Sequence, residues 1–380
     1  GTGRTDAAFA QALPANRQDW REVDRAIDRC GPAPESARLR AAALRARGDD
    51  RAATAALEKA RTDHPDQPAA WTALALDAAR RGDMAAASAT LDEARRRLGD
   101  RLEFRLARLD AYAADDDHDI KALADLEKGL DGYAPQDRTP LLCRLAATYY
   151  RVGKAADGDR LCRQMLAAPA ADLSARLPLL EAALASPDDA LADAVLADVA
   201  RLEGEGGAWT AYGRAARLAA RACRGDRGGL AEAKTLLDDL ARRRPDWSRV
   251  ALLRARVADL DGDAAAALDG YQRAFDLGER RPDAAETLAR MLAARGRWDD
   301  ADRVLRKMQE QAAFRGALAR LAAEVALRTH DDGRAAEMAR RAAPADDAYP
   351  YHVWLGRVLA AAGQPAEAEA ELRRAVHMPN

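Results

Sequence analysis

Arginines stand at regular places along this chain. Arg256, Arg290 and Arg357 each lie six residues before a glycine: Gly262, Gly296 and Gly363. Arg80 and Arg151 lie one helical turn later, two residues before Gly82 and Gly153. A guanidinium carries five N–H donors in a rigid fork that matches a carboxylate bidentately. A row of them on one helix face would suit an acidic peptide segment. Two features weaken that reading. The chain uses 54 arginines against 6 lysines, so arginine is its habitual cation, and Glu286 stands four residues before Arg290, where it would neutralise part of the row.

Other chemistry is scarce. No phosphate-cradling GxxxxGK[ST], dinucleotide GxGxxG, zinc HExxH or nucleophile-elbow GxSxG appears. The five histidines (His64, His118, His330, His352, His377) lack ligand spacing. DDDHD at 115–119 has metal-ligand residue types, but it falls where a solvated loop is expected, and DGD at 261–263 lacks the spacing of a calcium loop. The RGD tripeptides at 81–83 and 224–226 fall at turns. Cys30, Cys143, Cys162 and Cys223 form no CxxC pair; Cys143 and Cys162 could face each other, and buried free thiols are the expectation. No catalytic, metal or cofactor site is assigned.

Composition sets the frame for these residues. The 380 residues are 48% apolar but only 5% aromatic, and 60 basic side chains nearly balance 62 acidic ones. Near-neutrality with interleaved signs argues against a nucleic-acid partner. No apolar run is long enough to cross a bilayer. So many alanines cannot fill a deep single core; the chain must stabilise itself by close helix–helix approach.

The elements that would position the arginines repeat. Gly48 and Gly82 are 34 residues apart, as are Gly228, Gly262 and Gly296. Before Gly82, Trp71, Leu74, Ala75 and Ala78 form one helical stripe; after it, Ala87, Leu91 and Ala94 form the facing stripe of a second helix. The same offsets give Ala285, Leu288, Ala289 and Leu292, then Trp298, Ala301, Leu305 and Met308 around Gly296. They give Leu355, Gly356, Leu359, Ala368, Leu372 and Ala375 around Gly363. Asp49, Asp83 and Asp263 directly follow turn glycines, as caps of the second helix would. The pattern predicts an all-α solenoid of about eleven helix–turn–helix units of roughly 34 residues. The glycine is missing from units near 102–137, 172–206 and 316–348.

This pattern resembles the tetratricopeptide repeat, over essentially the whole chain. The resemblance implies a right-handed superhelix whose first helices line an inner groove. Residues six before the turn glycine point roughly 140° away from the packing stripe, which in that family is the groove direction. Arg80, Arg151, Arg256, Arg290 and Arg357 are therefore the expected groove residues. Asn occurs only at Asn16 and Asn380, so the Asn-dependent carboxylate clamp and backbone ladder of some relatives are not expected.

The clustered Gly204, Gly206 and Gly207 suggest a hinge at 202–208 between subarrays 1–203 and 204–380; a merely longer loop is the alternative. Leu372 and Val376 would be left uncovered on the last helix, and a chain that opens on Gly1 and stops at Asn380 looks like a segment of something larger. YPYHVW at 349–354 is either an aromatic binding patch or cover for the last unit's own core. The function expected is a non-catalytic protein–protein interaction scaffold that takes a protein or peptide, of acidic character, in its groove. The alternatives are the regulatory or docking arm of an enzyme whose catalytic domain lies elsewhere, or an envelope or secretion assembly factor. Cysteine usage leans towards the cytoplasm; a periplasmic setting and the oligomeric state stay open.

Overall fold

A computed structural model describes residues 20–30, 34–112, 120–168, 172–204, 206–309, 314, 316–342 and 349–378. Among these residues twenty-one α-helices follow one another, with one 3-10 turn at Leu130–Gly132 and no strand. Helix α1 (Trp20–Arg29) precedes ten successive pairs. These are α2 (Pro34–Ala46) and α3 (Asp50–Asp63), α4 (Pro68–Arg81) and α5 (Met84–Leu98), α6 (Leu102–Tyr112) and α7 (Ile120–Glu127), α8 (Pro135–Arg151) and α9 (Ala155–Ala167), α10 (Leu173–Ala183) and α11 (Asp189–Glu203). They continue with α12 (Ala208–Cys223) and α13 (Leu230–Arg243), α14 (Ser248–Asp261) and α15 (Ala264–Asp276), α16 (Pro282–Ala294) and α17 (Trp298–Met308), α18 (Gly316–Arg328) and α19 (Asp332–Arg341), α20 (Tyr349–Ala361) and α21 (Pro365–Val376). Every helix pair in extended contact is one or two helices apart along the chain, the nearest-neighbour packing of a repeat array.

The turn between paired helices is dictated locally. Gly82 ends α4 at φ 87° and ψ 6°, a left-handed conformation that a β-carbon would penalise. Its N–H bonds back to Ala79, and Asp83 N bonds to Ala78 O at 2.9 Å. The Asp83 carboxylate then accepts from Ala86 N at 2.9 Å and caps α5. Asp49 and Asp263 cap α3 and α15 in the same way. Two turns differ from the expectation. Gly225, not Gly228, takes the left-handed position after α12, so the loop to α13 is longer by three residues. Between α18 and α19 the left-handed residue is His330, at φ 57°; at this turn the geometry persists without a glycine, at a cost of about 1–2 kcal/mol.

The packing stripes are where the spacing placed them. Trp71, Ala75, Ala87, Leu91 and Ala94 are all buried, as are Leu288, Ala289, Leu292, Ala301, Leu305 and Met308. Leu372 and Val376 are 38% and 77% exposed, uncovered on the last helix as expected. Close approach is clearest at Gly270 of α15. A β-carbon there would stand 2.9 Å from both Cα and Cβ of Ala255 on α14, inside any real contact distance. Gly270→Val is therefore expected to destabilise by about 1–3 kcal/mol through overpacking against backbone. At Gly213 the obstacle is only the Leu196 Cδ1 tip, 2.6 Å away, and the helix-propensity gain of about 1 kcal/mol offsets it in Gly213→Ala. Urea unfolding of both variants checks the contrast; equal stabilities would refute the backbone-to-backbone contact.

The chain divides into two compact units, one of Gly1–Asp117 with Leu292–Asn380 and one of His118–Met291. Residues 202–208 lie inside the second unit. There the Glu203 carboxylate accepts from Trp209 N at 3.1 Å and from Thr210 N at 2.9 Å, so a side chain from the preceding helix caps α12.

Candidate binding surface

In the second unit, first helices of successive pairs present one strip. Trp209 and Tyr212 stand on the first turns of α12, Trp247 is the N-cap residue of α14, Arg249 and Arg256 follow on α14, and Arg281 and Asp283 open α16. The three rings touch one another. Trp209 meets Trp247 edge to face at 4.6 Å between centroids, and Tyr212 lies 5.4 Å from Trp247 and 5.8 Å from Trp209. Tyr212 and Trp247 rest one side on the core formed by Ala211, Leu230, Leu237 and Val250, yet all three rings keep partial solvent contact. Their position explains this. They stand at the start of first helices, outside the packing stripe that each pair buries.

Arginines frame the rings. Arg249 lies 5.7 Å over Trp209 and pairs with Glu181 of α10, and Arg244 lies 4.5 Å over Trp247. Asp283 receives both Arg256 and Arg281, the latter at 3.2 Å. Burial pulls the Asp283 carboxyl upward, but the two guanidiniums outweigh it and hold the group below its usual range. Burial also pushes the Tyr212 phenol up, against the cations Arg281 and Arg256. It pushes the Arg249 guanidinium down.

The five arginines singled out by spacing have different surroundings. Arg256 belongs to the strip. Arg290, on α16, is exposed and bonds Glu286 at 2.6 and 2.9 Å, the neutralisation its spacing predicts. Arg151 ends α8 and Arg357 lies on α20, both exposed. Arg80 is not on an open face. It is 5% exposed, and its guanidinium bonds Asp50 at 2.9 Å and Asp77 at 3.3 Å. Its place in the last turn of α4 brings it over the start of α3, whose Asp50 draws it into the interior.

Asp77 is the centre of that interior cluster in the first unit. Its carboxylate, buried at 3% exposure, also accepts from Arg45 of α2 at 2.5 Å, Thr54 of α3 at 2.8 Å and Arg81 at 3.2 Å. Glu337 of α19, in the same unit, lies within electrostatic reach of Asp50 and Arg80.

The remaining motifs are structural or lie elsewhere. Residues 115–119 are outside the described residues. All four cysteines are free, and burial lifts the Cys143 thiol to about 12, which leaves it unreactive. Within YPYHVW, Tyr351 and His352 are buried; Tyr351 donates to the carbonyls of Ala339 and Arg340, and His352 Nδ1 lies 2.5 Å from Glu371. Those side chains hold the last pairs together. Among the described residues no group of three or more His, Cys, Asp or Glu side chains could hold a metal ion. No described helix is long and apolar enough to cross a membrane.

No family model matches the chain, and no curated protein matches it. Solved structures do resemble it. A tetratricopeptide repeat protein from Parabacteroides merdae is 16% identical, with a TM-score of 0.44 over 69% of this chain and 100% of that one. Cut9–Hcn1 of the APC/C is 13% identical, with a TM-score of 0.42 over 98% and 85%. Yeast Tom70 is 14% identical, with a TM-score of 0.34 over 99% and 85%. The chain's own geometry already carries the fold: paired helices, left-handed turns 34 residues apart at Gly48 and Gly82 and again at Gly262 and Gly296, and small residues at the helix contacts. It is a tetratricopeptide-like all-α array.

Proposed function

We propose that this chain is a non-catalytic protein–protein interaction scaffold, and that the first-helix strip of its second unit takes a segment of a partner protein. The observation that supports this best is the cluster of Trp209, Tyr212 and Trp247, three partly buried rings in contact with one another in a chain only 5% aromatic. Tryptophan, tyrosine and arginine are the residues in which interface energy concentrates. Rings already packed against a helical framework lose little further freedom on binding. Arg256 and Arg290 extend the strip along α14 and α16. Arg151 and Arg357 are exposed cations elsewhere on first helices, and Arg80 serves the interior.

The test is comparative capture. Wild-type protein and the Trp209→Ala variant, with matched melting profiles, are immobilised and exposed to extract of the source cell. Proteins that bind the wild type are then measured individually. Truncating a central ring is expected to cost about 2 kcal/mol or more, roughly thirtyfold in affinity. Unchanged affinity of the captured partners for the variant would refute this surface.

A further inference from the structure

We infer that the first helices α18 and α20 carry a second docking surface, built for an acidic segment of a partner protein. It belongs to the other compact unit and does not depend on the ring cluster. Part of YPYHVW faces it. Tyr351 and His352 turn inward, but Pro350, Val353, Trp354 and Arg357 follow the spacing of one helix stripe, and all four keep solvent contact. On α18 the exposed stripe is Ala317, Arg320, Glu324 and Arg328. The two helices touch, and their stripes meet where the Arg320 guanidinium carbon lies 4.5 Å from the centroid of the Trp354 ring.

Two observations set these arginines apart. They lack acids. Arg254, Arg256 and Arg290 on earlier first helices each hold an aspartate or glutamate. Among the described residues Arg320 and Arg357 hold none, and neither donates to any acceptor. Glu324 is within helical spacing of Arg320 and Arg328 but pairs with neither. Arg328 follows it by four residues, as Arg290 follows Glu286, yet lies 5.5 Å over Trp298 instead. The second observation is how Arg320 is held. A cation over an indole is drawn to the negative face of the ring, and that contact consumes none of the five N–H donors. The indole therefore places the guanidinium fork before a ligand arrives, which lowers the ordering cost of binding. Arg357, three residues beyond Trp354 on the same face, adds a second unanswered fork with its Cβ about 5–6 Å from that of the tryptophan. Arg320, Arg328 and Arg357 face only Glu324, so charge complementarity selects an acidic occupant. Carboxylates match both forks bidentately.

End-labelled nonapeptides with a central run of four aspartates, four asparagines or four lysines test this, since a run presents carboxylates at every spacing. Binding to the full chain is followed by fluorescence anisotropy at low and high salt. The aspartate peptide is expected to bind at least about tenfold tighter than the other two, with a preference that shrinks as salt rises. Arg320→Gln and Arg357→Gln, both at exposed positions, should each weaken it about fivefold, the upper range for one surface ion pair. Arg303→Gln removes an equal charge from an arginine already bonded to Asp300, and should change affinity by less than about twofold. Equal binding of the asparagine or lysine peptide, or no binding of any, overturns the inference. An Arg303→Gln loss as large as that of Arg320→Gln overturns it as well, since bulk charge would then suffice. Tighter binding of a single-stranded nine-nucleotide dT strand would overturn a protein occupant. If the aspartate peptide binds but ignores both Arg320→Gln and Arg357→Gln, this surface is refuted, and the ring cluster keeps its own Trp209→Ala test.

Discussion

Asp77→Ala is expected to destabilise the first unit by about 3–5 kcal/mol, the scale for removing one partner of a buried charge network. The carboxylate takes hydrogen bonds from Arg45, Thr54, Arg80 and Arg81, so four donors on three helices lose their acceptor together. Arg80, 5% exposed, is left with Asp50, whose side chain is half exposed, and Arg45 loses an ion pair in which both side chains are almost fully enclosed. The Asp77→Asn variant separates charge from shape, since it preserves packing but cannot accept on both oxygens. Acid sensitivity gives a second readout. Burial raises the Asp77 carboxyl, but Arg45, Thr54 and Arg80 together outweigh it and hold its pKa below the usual value. A depressed folded-state pKa means the stabilisation is complete above the unfolded value of about 3.9 and is lost as pH falls through the folded one. Wild type should therefore lose more stability than Asp77→Asn on acidification through that window. Urea unfolding of both proteins at pH 7 and at successively lower pH measures it, and parallel curves would show that Asp77 is not the hub.

The cluster also shows what the sequence could and could not convey. Helix pairing was legible because Gly82, Asp83 and the Trp71–Ala78 stripe act within a few residues of one another. The same local logic places His330, a residue without an obvious role in a motif search, at a turn where the period has no glycine. Arg80 was not legible. Its spacing from Gly82 fixes the face it leaves from, but its direction is set by Asp50 on another helix, thirty residues away. Nor was the aromatic strip. Periodicity assigns Trp and Tyr to core stripes, whereas Trp209 and Trp247 stand at the entrance of first helices, at offsets no stripe uses. A search for aromatic residues off the packing register would have found them, and Tyr212 one turn beyond. The electrostatic coupling of Glu337 to Asp50 and Arg80 left no sequence signal, since the three residues lie far apart along the chain.

Trp71→Ala should carry a comparable penalty by a different route. Trp71 is the largest side chain in the core it shares with Ala75, Leu91, Ala94, Phe104 and Ala107, and it is 2% exposed. Its indole Nε1 donates to Pro65 O at 2.8 Å, and Arg61 lies 5.3 Å over the ring. Truncating a buried aromatic to alanine costs about 3–5 kcal/mol when the site cannot collapse. This site cannot, because three of its five partners are alanines, which have no side chain long enough to swing into the void. The loss should also be local. In an array whose extended helix contacts join helices one or two places apart, stability divides among repeats and their shared interfaces. Hydrogen exchange is expected to speed up across α4, α5 and α6 while α12 to α15 keep their protection. Trp71→Phe, which keeps most of the volume, should recover much of the stability but not the bond to Pro65. Uniform loss of protection along the chain would mean a single cooperative core instead of coupled neighbours, and a loss below about 1 kcal/mol would mean that the alanine contacts, not the indole, hold α4 against α5 and α6.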